Sequence, residues 1–178
     1  MRRRATLVPG DMRDFALEHT YGFIYIAFRS FQILPSPEAE RECLTNLANH
    51  LLPGGIVAID LFDPWLDRLT PESAALAPRP LPPGRHPETG NEVLVETLSR
   101  TNDPLTQTFE EVWQFTEVDR DGTVLRTEDE SLRMRWLYRW EMRYLLELCG
   151  FVDIVEYSDF KKSPPTYGKE LVFLARKA

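Results

Sequence analysis

The amino-acid sequence predicts an α/β fold built on a mostly parallel sheet, and three observations predict it. Phe23-Ile24-Tyr25-Ile26-Ala27-Phe28 is a short unbroken apolar run, the pattern of a strand buried on both faces. Cys43, Leu44, Leu47, Ala48, Leu51 and Leu52 recur at helical spacing and give one apolar face. Ile56-Val57-Ala58-Ile59 is a second all-apolar run, ending at Asp60. Strand, helix, strand, with both strands apolar throughout, describes a right-handed crossover in a parallel sheet.

Taken in order, Thr6-Leu7-Val8 predicts a first short strand, followed by Gly10-Asp11-Met12-Arg13-Asp14-Phe15. A glycine and an aspartate at the C-terminal end of a parallel strand lie where open α/β sheets bind ligands. The same residues also suit a plain turn, with Asp11 or Asp14 capping a short helix through Phe15, Ala16 and Leu17. Beyond the Phe23–Phe28 run, Arg29, Ser30 and Gln32 mark the point where the strand leaves the core. Ser36 suits an N-cap, with Pro37 at the first helical position and Glu38 in the first turn. Pro53-Gly54-Gly55 predicts that helix's end.

Residues 65–90, with Pro71, Pro78, Pro80, Pro82, Pro83 and Pro87, read as a long surface loop or lid. Residues 91–136 alternate in polarity and predict an antiparallel three-stranded meander, with Asp119-Arg120-Asp121-Gly122 as a hairpin turn. Its aromatic face carries Trp113 and Trp136; core packing is the simplest account of them, a substrate lid or a dimer surface the others. Trp140 to Cys149 predicts the last helix, stopped by Gly150. Residues 152–157 and 171–175 read as closing strands, with Lys161, Lys162 and Tyr167 in the loop between them. The whole reads as a single domain, with residues 1–64 and 137–178 as its core.

Composition narrows the function. Lys and Arg number 21 against 28 Asp and Glu, a net charge of -7, which argues against a nucleic-acid or anionic-membrane partner. Arg2, Arg3 and Arg4, the one basic cluster, read as a solvated tail or helix end. Cys43 and Cys149 read as small buried hydrophobes in a reducing compartment, and no apolar run has the length of a membrane span. The expected location is therefore cytoplasmic. His19, His50 and His86 are scattered, which disfavours a metal site or a hydrolase triad.

The order of these pieces resembles the C-terminal two-thirds of a class I S-adenosylmethionine-dependent methyltransferase. Four stretches carry the likeness. Val8 to Phe15 resembles the family's third strand and adenine-side loop, and Ile24 to Leu34 its fourth strand and turn. Leu51-Leu52-Pro53-Gly54-Gly55 into Asp60-Leu61-Phe62 resembles a helix end and fifth strand. Leu145 to Phe151, with Lys169 to Phe173, resembles the final helix and antiparallel hairpin. The meander is similar to an insertion in members that act on small molecules.

The resemblance implies a Rossmann-like sheet, S-adenosylmethionine as cofactor and methyl transfer to a small molecule. By position, Asp11 would accept a hydrogen bond from the adenine amino group and Met12 would pack beside the ring. Phe28 and Arg29 would lie beneath the methionine end, and Gln32, Tyr138 and Tyr167 on the substrate side. Methyl transfer from a sulfonium needs chiefly alignment, so the lack of an evident acid–base pair decides nothing.

The family's glycine-rich turn has no counterpart, since no two of the nine glycines are separated by a single residue. With only seven residues before Val8, the expectation is an N-terminally truncated domain that begins inside a longer ancestral one and binds the cofactor weakly. The two strands absent on that view leave sheet edges open. The expected remedies are a first strand moved beside Phe23–Phe28, strands added by a homo-oligomer or partner chain, or a loose N-terminal segment. The alternative function is a non-catalytic methyltransferase-like subunit that pairs with another chain. A different nucleotide-binding enzyme fits less well without a G-x-G or phosphate loop.

Overall fold

The computed structural model describes residues 5–72 and 79–178. Arg2 to Arg4 and Pro78, with the readings attached to them, lie outside the described residues. The chain divides into two compact units, Met1–Asp63 with Tyr138–Ala178, and Pro64–Leu137.

Among the described residues the first unit is a four-stranded sheet with two α-helices and a short 3-10 helix, Ser30–Ile33. Its strands are β1 (Tyr21–Ile26), β2 (Leu51–Phe62), β7 (Phe151–Tyr157) and β8 (Glu170–Lys177), in the spatial order β1-β2-β8-β7. β1 pairs parallel with β2 (Ile24 opposite Val57, Ile26 opposite Ile59), whereas β2 with β8 and β8 with β7 are antiparallel. Among the described residues the sheet is thus mixed, with one parallel pair. Helix α1 (Pro37–His50) makes the crossover, and the Ser36 hydroxyl caps it by accepting the Ala39 amide at 3.3 Å. Helix α2 (Arg139–Leu148) ends at Gly150, whose φ of 84° is the left-handed conformation that glycine adopts without steric cost.

The core lies on one face of this sheet. Val57, Ile59 and Leu61 of β2 and Leu171, Phe173 and Ala175 of β8 are buried. So are Cys43, Leu44 and Leu47 of α1 and Met142 and Leu146 of α2. Each buried Val, Leu, Ile, Phe or Met among them contributes about 1.5–3 kcal/mol through burial. The opposite face differs from the expectation of a strand buried on both sides: Phe23 is 55% and Tyr25 67% exposed. The reason is topological, because no helix of the described residues covers that face. Thr6-Leu7-Val8 is not in a strand either, so among the described residues β1 is an edge strand.

The second unit is an all-antiparallel sheet of β3 (Arg79–Arg85), β4 (Glu92–Asp103), β5 (Thr108–Val118) and β6 (Val124–Arg135), in that order. Among the described residues, β4, β5 and β6 form three antiparallel strands over 92–135, and β3 adds a fourth because part of the proline-rich passage, expected as a loop, pairs with β4. A strand carrying Pro80, Pro82 and Pro83 is tolerated at an edge, where one side needs no donors. Trp113 is tied down by donating its Nε1 hydrogen to Glu111 at 2.9 Å. Glu111 in turn pairs with Arg100 at 2.8 Å, and the Arg100 guanidinium stacks on Phe109 at 3.9 Å. Trp136 is wholly buried.

Candidate functional site

The most constrained backbone of the first unit follows β1. Phe28 and Arg29 have φ of 58° and 60°, two consecutive left-handed residues that are not glycine. Each costs roughly 1–2 kcal/mol, so something must hold them there. Asp60 does. It stands one residue past the Ile26–Ile59 pairing, is only 7% exposed, and accepts the Arg29 amide on Oδ2 at 3.2 Å and the Phe28 amide as well. Burial pushes the Asp60 carboxyl above its ordinary range, Glu170 adds to this, and the two amides and Arg29 oppose it.

The Arg29 guanidinium pairs with Glu170 at 2.7 Å and lies 6.0 Å from the centre of the Phe62 ring. The Phe28 ring is left 93% exposed. Just beyond, Gln32 is wholly buried and its Oε1 accepts the Phe62 amide at 2.9 Å. Gln32 thus fixes the end of β2 from beneath.

Asp63, which follows β2, gathers the other two predicted substrate-side positions. Its Oδ2 accepts the Gly168 amide at 2.6 Å, next to Tyr167, and lies 3.6 Å from Nη2 of Arg139, next to Tyr138. Both tyrosine rings are exposed. Arg139 bridges to a second buried carboxylate, Glu156, at 3.0 Å. That contact lies off the N–H direction, so it is an ion pair without an aligned hydrogen bond. Burial raises the Glu156 carboxyl above its usual range; Arg139 and Arg143 pull it down, and Asp63 pushes it up.

Asp11 and Met12 occupy a different segment. The Asp11 carboxylate takes the Arg13 backbone amide and Nε on Oδ1 and Nη2 on Oδ2, at 2.9, 3.0 and 2.7 Å. This grip lowers its pKa to about 2. The segment is latched to α1 by two residues that sequence reasoning passed over. Asn46 donates to the Phe15 carbonyl at 3.1 Å, and His50 Nε2 accepts the Leu17 amide at 3.1 Å. The geometry fixes the tautomer, with Nδ1 donating to the Asn46 carbonyl at 2.9 Å. The Phe15 ring lies 4.5 Å from that of His50.

His50→Phe keeps the ring contact and removes the acceptor. The Leu17 amide should then exchange with solvent about fivefold faster, the equivalent of one hydrogen bond of about 1 kcal/mol. Hydrogen exchange resolved at Leu17 reads this, and unchanged protection would refute the latch.

The structure thus brings Phe28, Arg29 and Gln32 together at the C-terminal ends of β1 and β2, and ties the backbones beside Tyr138 and Tyr167 to one carboxylate. Asp11 and Met12 belong instead to the segment latched to α1. Sequence reasoning missed Asp60, Asp63, Arg139, Glu156 and Glu170. Two aspartates three residues apart where an apolar strand ends were the available signal. Among the described residues there is no His, Cys, Asp and Glu group able to hold a metal, and no helix is long and apolar enough to cross a membrane.

A parallel β1-α1-β2 crossover, an antiparallel closing hairpin and a separate antiparallel sheet define a class. The chain has the mixed α/β fold of class I S-adenosylmethionine-dependent methyltransferases. It is similar to the crystal structure of DesVI from Streptomyces venezuelae, with a TM-score of 0.69 and 21% identity, over 95% of this chain and 64% of that one. It is also similar to S-adenosylmethionine-bound CalS10, an amino pentose methyltransferase from Micromonospora echinaspora, with a TM-score of 0.66 and 18% identity, over 95% and 63%.

In sequence, 61 residues are 38% identical to a dTDP-3-amino-3,4,6-trideoxy-alpha-D-glucopyranose N,N-dimethyltransferase of Streptomyces venezuelae, covering 34% of this chain and 24% of that enzyme. The chain therefore spans about a quarter of that relative and less than two-thirds of the two solved structures. No family model matches.

Proposed function

We propose that this chain belongs to a methyltransferase that moves a methyl group from S-adenosylmethionine to the amino group of a small, sugar-like acceptor. The observation that carries the reading is the left-handed Phe28–Arg29 turn held by Asp60 at the C-terminal edge of β1 and β2, in a chain with this fold. The similarity to aminosugar N-methyltransferases supports the acceptor class. On this reading the described sheet is one side of a mostly parallel, Rossmann-like sheet that continues past β1, and the protein works in the cytoplasm.

The residues divide the labour. Asp11 receives the adenine amino group, sharing its carboxylate with Arg13, and Met12 packs against the ring. Phe28 and Arg29 line the methionine end, rigid because Asp60 and Glu170 fix them. Tyr138 and Tyr167 face the acceptor, and Gln32 supports that side from below. With cofactor-side contacts on only part of the cleft, this chain alone binds weakly, with a Kd on the order of 1 mM.

Isothermal titration of S-adenosylmethionine and its demethylated product tests this. Asp11→Ala should weaken binding by about tenfold, the loss of about 1.4 kcal/mol. Because Arg13 lowers the Asp11 pKa to about 2, its carboxylate stays ionised at ordinary pH, and affinity should not vary with Asp11 between pH 5 and 8, roughly. No binding, or identical binding by the variant, would overturn the assignment.

A second reading is favoured by one specific observation, the open outer edge of β1 among the described residues. It makes the chain a methyltransferase-like subunit that acts with another chain, a homo-oligomer being one form. Mixing it with a full-length methyltransferase and measuring activity distinguishes the two.

A further inference from the structure

We propose that Arg29 and Glu170 form the seat for an α-amino-acid group, the methionine end of the cofactor. The Arg29 guanidinium takes the ligand's carboxylate, and Glu170 takes its ammonium. The inference rests on the methyltransferase reading and deepens it, giving each charge of that ligand a named partner.

Strand direction sets the place. β1 and β2 run parallel, and Arg29 stands just past the C-terminal end of β1, where open α/β sheets bind ligands. β8 runs the other way, which brings its first residue, Glu170, to the same edge, opposite Phe62. Two residues 141 apart in the chain thus meet, with 2.7 Å between Nη2 of Arg29 and Oε1 of Glu170.

The pair has more to do than hold the fold. Its side chains are 46% and 32% exposed, and an ion pair this open to water contributes little stability. Yet Arg29 is kept in a left-handed conformation by Asp60, which is itself nearly buried. Strain spent on placing an exposed charge is the mark of a ligand site. The guanidinium gives Nη2 to Glu170, and its exposure leaves other N–H donors open to a carboxylate, which arginine grips in a fork. Glu170 receives Arg29 on Oε1 and has Oε2 for an ammonium.

The signs select the ligand class. A simple anion drawn to Arg29 also meets Glu170, with Asp60 behind it. A simple cation drawn to Glu170 also meets Arg29. A group with both charges on one carbon is attracted by both residues and leaves neither unpaired. S-adenosylmethionine ends in such a group. Two other partly exposed arginine pairs of this unit lack the setting: Arg13 and Asp11 close on each other within one turn, and Arg176 and Asp153 lie at the far end of β8.

NMR titration of the full chain with four probes reads the assignment. They are S-adenosylmethionine, its decarboxylated form, its deaminated form, and 5′-methylthioadenosine, which lacks the amino-acid end. The chain should bind S-adenosylmethionine about tenfold tighter than either form short of one charge. Arg29→Gln should weaken S-adenosylmethionine about tenfold and bind the decarboxylated form no more weakly than the wild type does. Glu170→Gln should weaken S-adenosylmethionine likewise and spare the deaminated form. Neither should change 5′-methylthioadenosine, and Arg176→Gln should change none of the four. Should Arg29→Gln fail to fold, the Glu170 comparison carries the test.

Equal affinity of the wild-type chain for the first three probes overturns the proposal and leaves the cofactor reading standing. A variant that loses every probe alike overturns it too, because the pair then serves the fold alone. Silence from all four probes overturns the cofactor reading, and this inference with it.

Discussion

Asp60→Ala should destabilise the chain by about 2 kcal/mol, measured by urea unfolding. The alanine leaves the Phe28 and Arg29 amides without their acceptor, at about 1–3 kcal/mol for each that stays buried. The neighbouring side chains are exposed, so water reaches part of the turn and the lower end of that range applies. Against this, a desolvated carboxylate is removed, which is favourable. The balance is a net loss, because two left-handed residues then lack the contact that offset their strain.

The pH dependence gives a second check. The folded-state pKa of Asp60 is raised by burial, so its contribution is fully present below the ordinary carboxyl value of about 3.9 and declines as pH rises through the raised value. The advantage of Asp60 over alanine should therefore be greatest in acid and smaller at neutral pH. Asp60→Asn, which keeps one oxygen acceptor and cannot ionise, should lose less and show no such decline. An alanine variant with an unchanged unfolding midpoint would remove the support for the turn.

Much of the fold is legible in the residues. The crossover was readable because its two apolar runs flank a helix with Ser36, Pro37 and Glu38 in capping positions, and local chemistry alone sets those. The closing strands were readable as short runs beyond the last helix, and their antiparallel pairing was what the family resemblance implied. What misled was the meaning of an apolar run. Phe23 to Phe28 has the composition of a doubly buried strand, but burial depends on what else packs there, and one face is bare. The fourth strand of the second sheet was hidden because prolines read as loop, although an edge tolerates them.

The site was half legible. Phe28, Arg29 and Gln32 were found by position, but their partners Asp60 and Glu170 come from strands 31 and 141 residues away from Arg29. Register between strands far apart in the chain decides that meeting, and the pattern within one strand does not show which residue of another it will face. Likewise His50 looked solitary, since the Leu17 amide it receives lies 33 residues earlier.

Arg139→Met should be among the most damaging single substitutions, with a loss of about 3 kcal/mol and a fall in melting temperature on the order of 10 °C. Arg139 is the cation beside both Asp63 and Glu156, whose side chains are each only 6% exposed. Removing one partner of a buried ion pair leaves a charge that the interior cannot solvate, at about 3–5 kcal/mol. The lower end applies because Asp63 keeps the Gly168 amide, and the 28% exposure of Arg139 lets water approach.

The sign of the pH effect separates charge from packing. Burial already holds the Glu156 pKa above its ordinary value of 4.5, and Arg139 is the first of the influences that lower it. Without Arg139 it rises further. A carboxyl raised in the folded state stabilises fully below 4.5 and loses that contribution as pH climbs through the folded value. The deficit of Arg139→Met should therefore be small in acid and widen toward neutral pH, and Glu156→Gln added to it should recover part of the loss. Melting temperatures across that range decide it. A deficit independent of pH would mean that Arg139 acts through the packing of its aliphatic stem, and the carboxylate pair would lose its role in holding Tyr138 and Tyr167 in place.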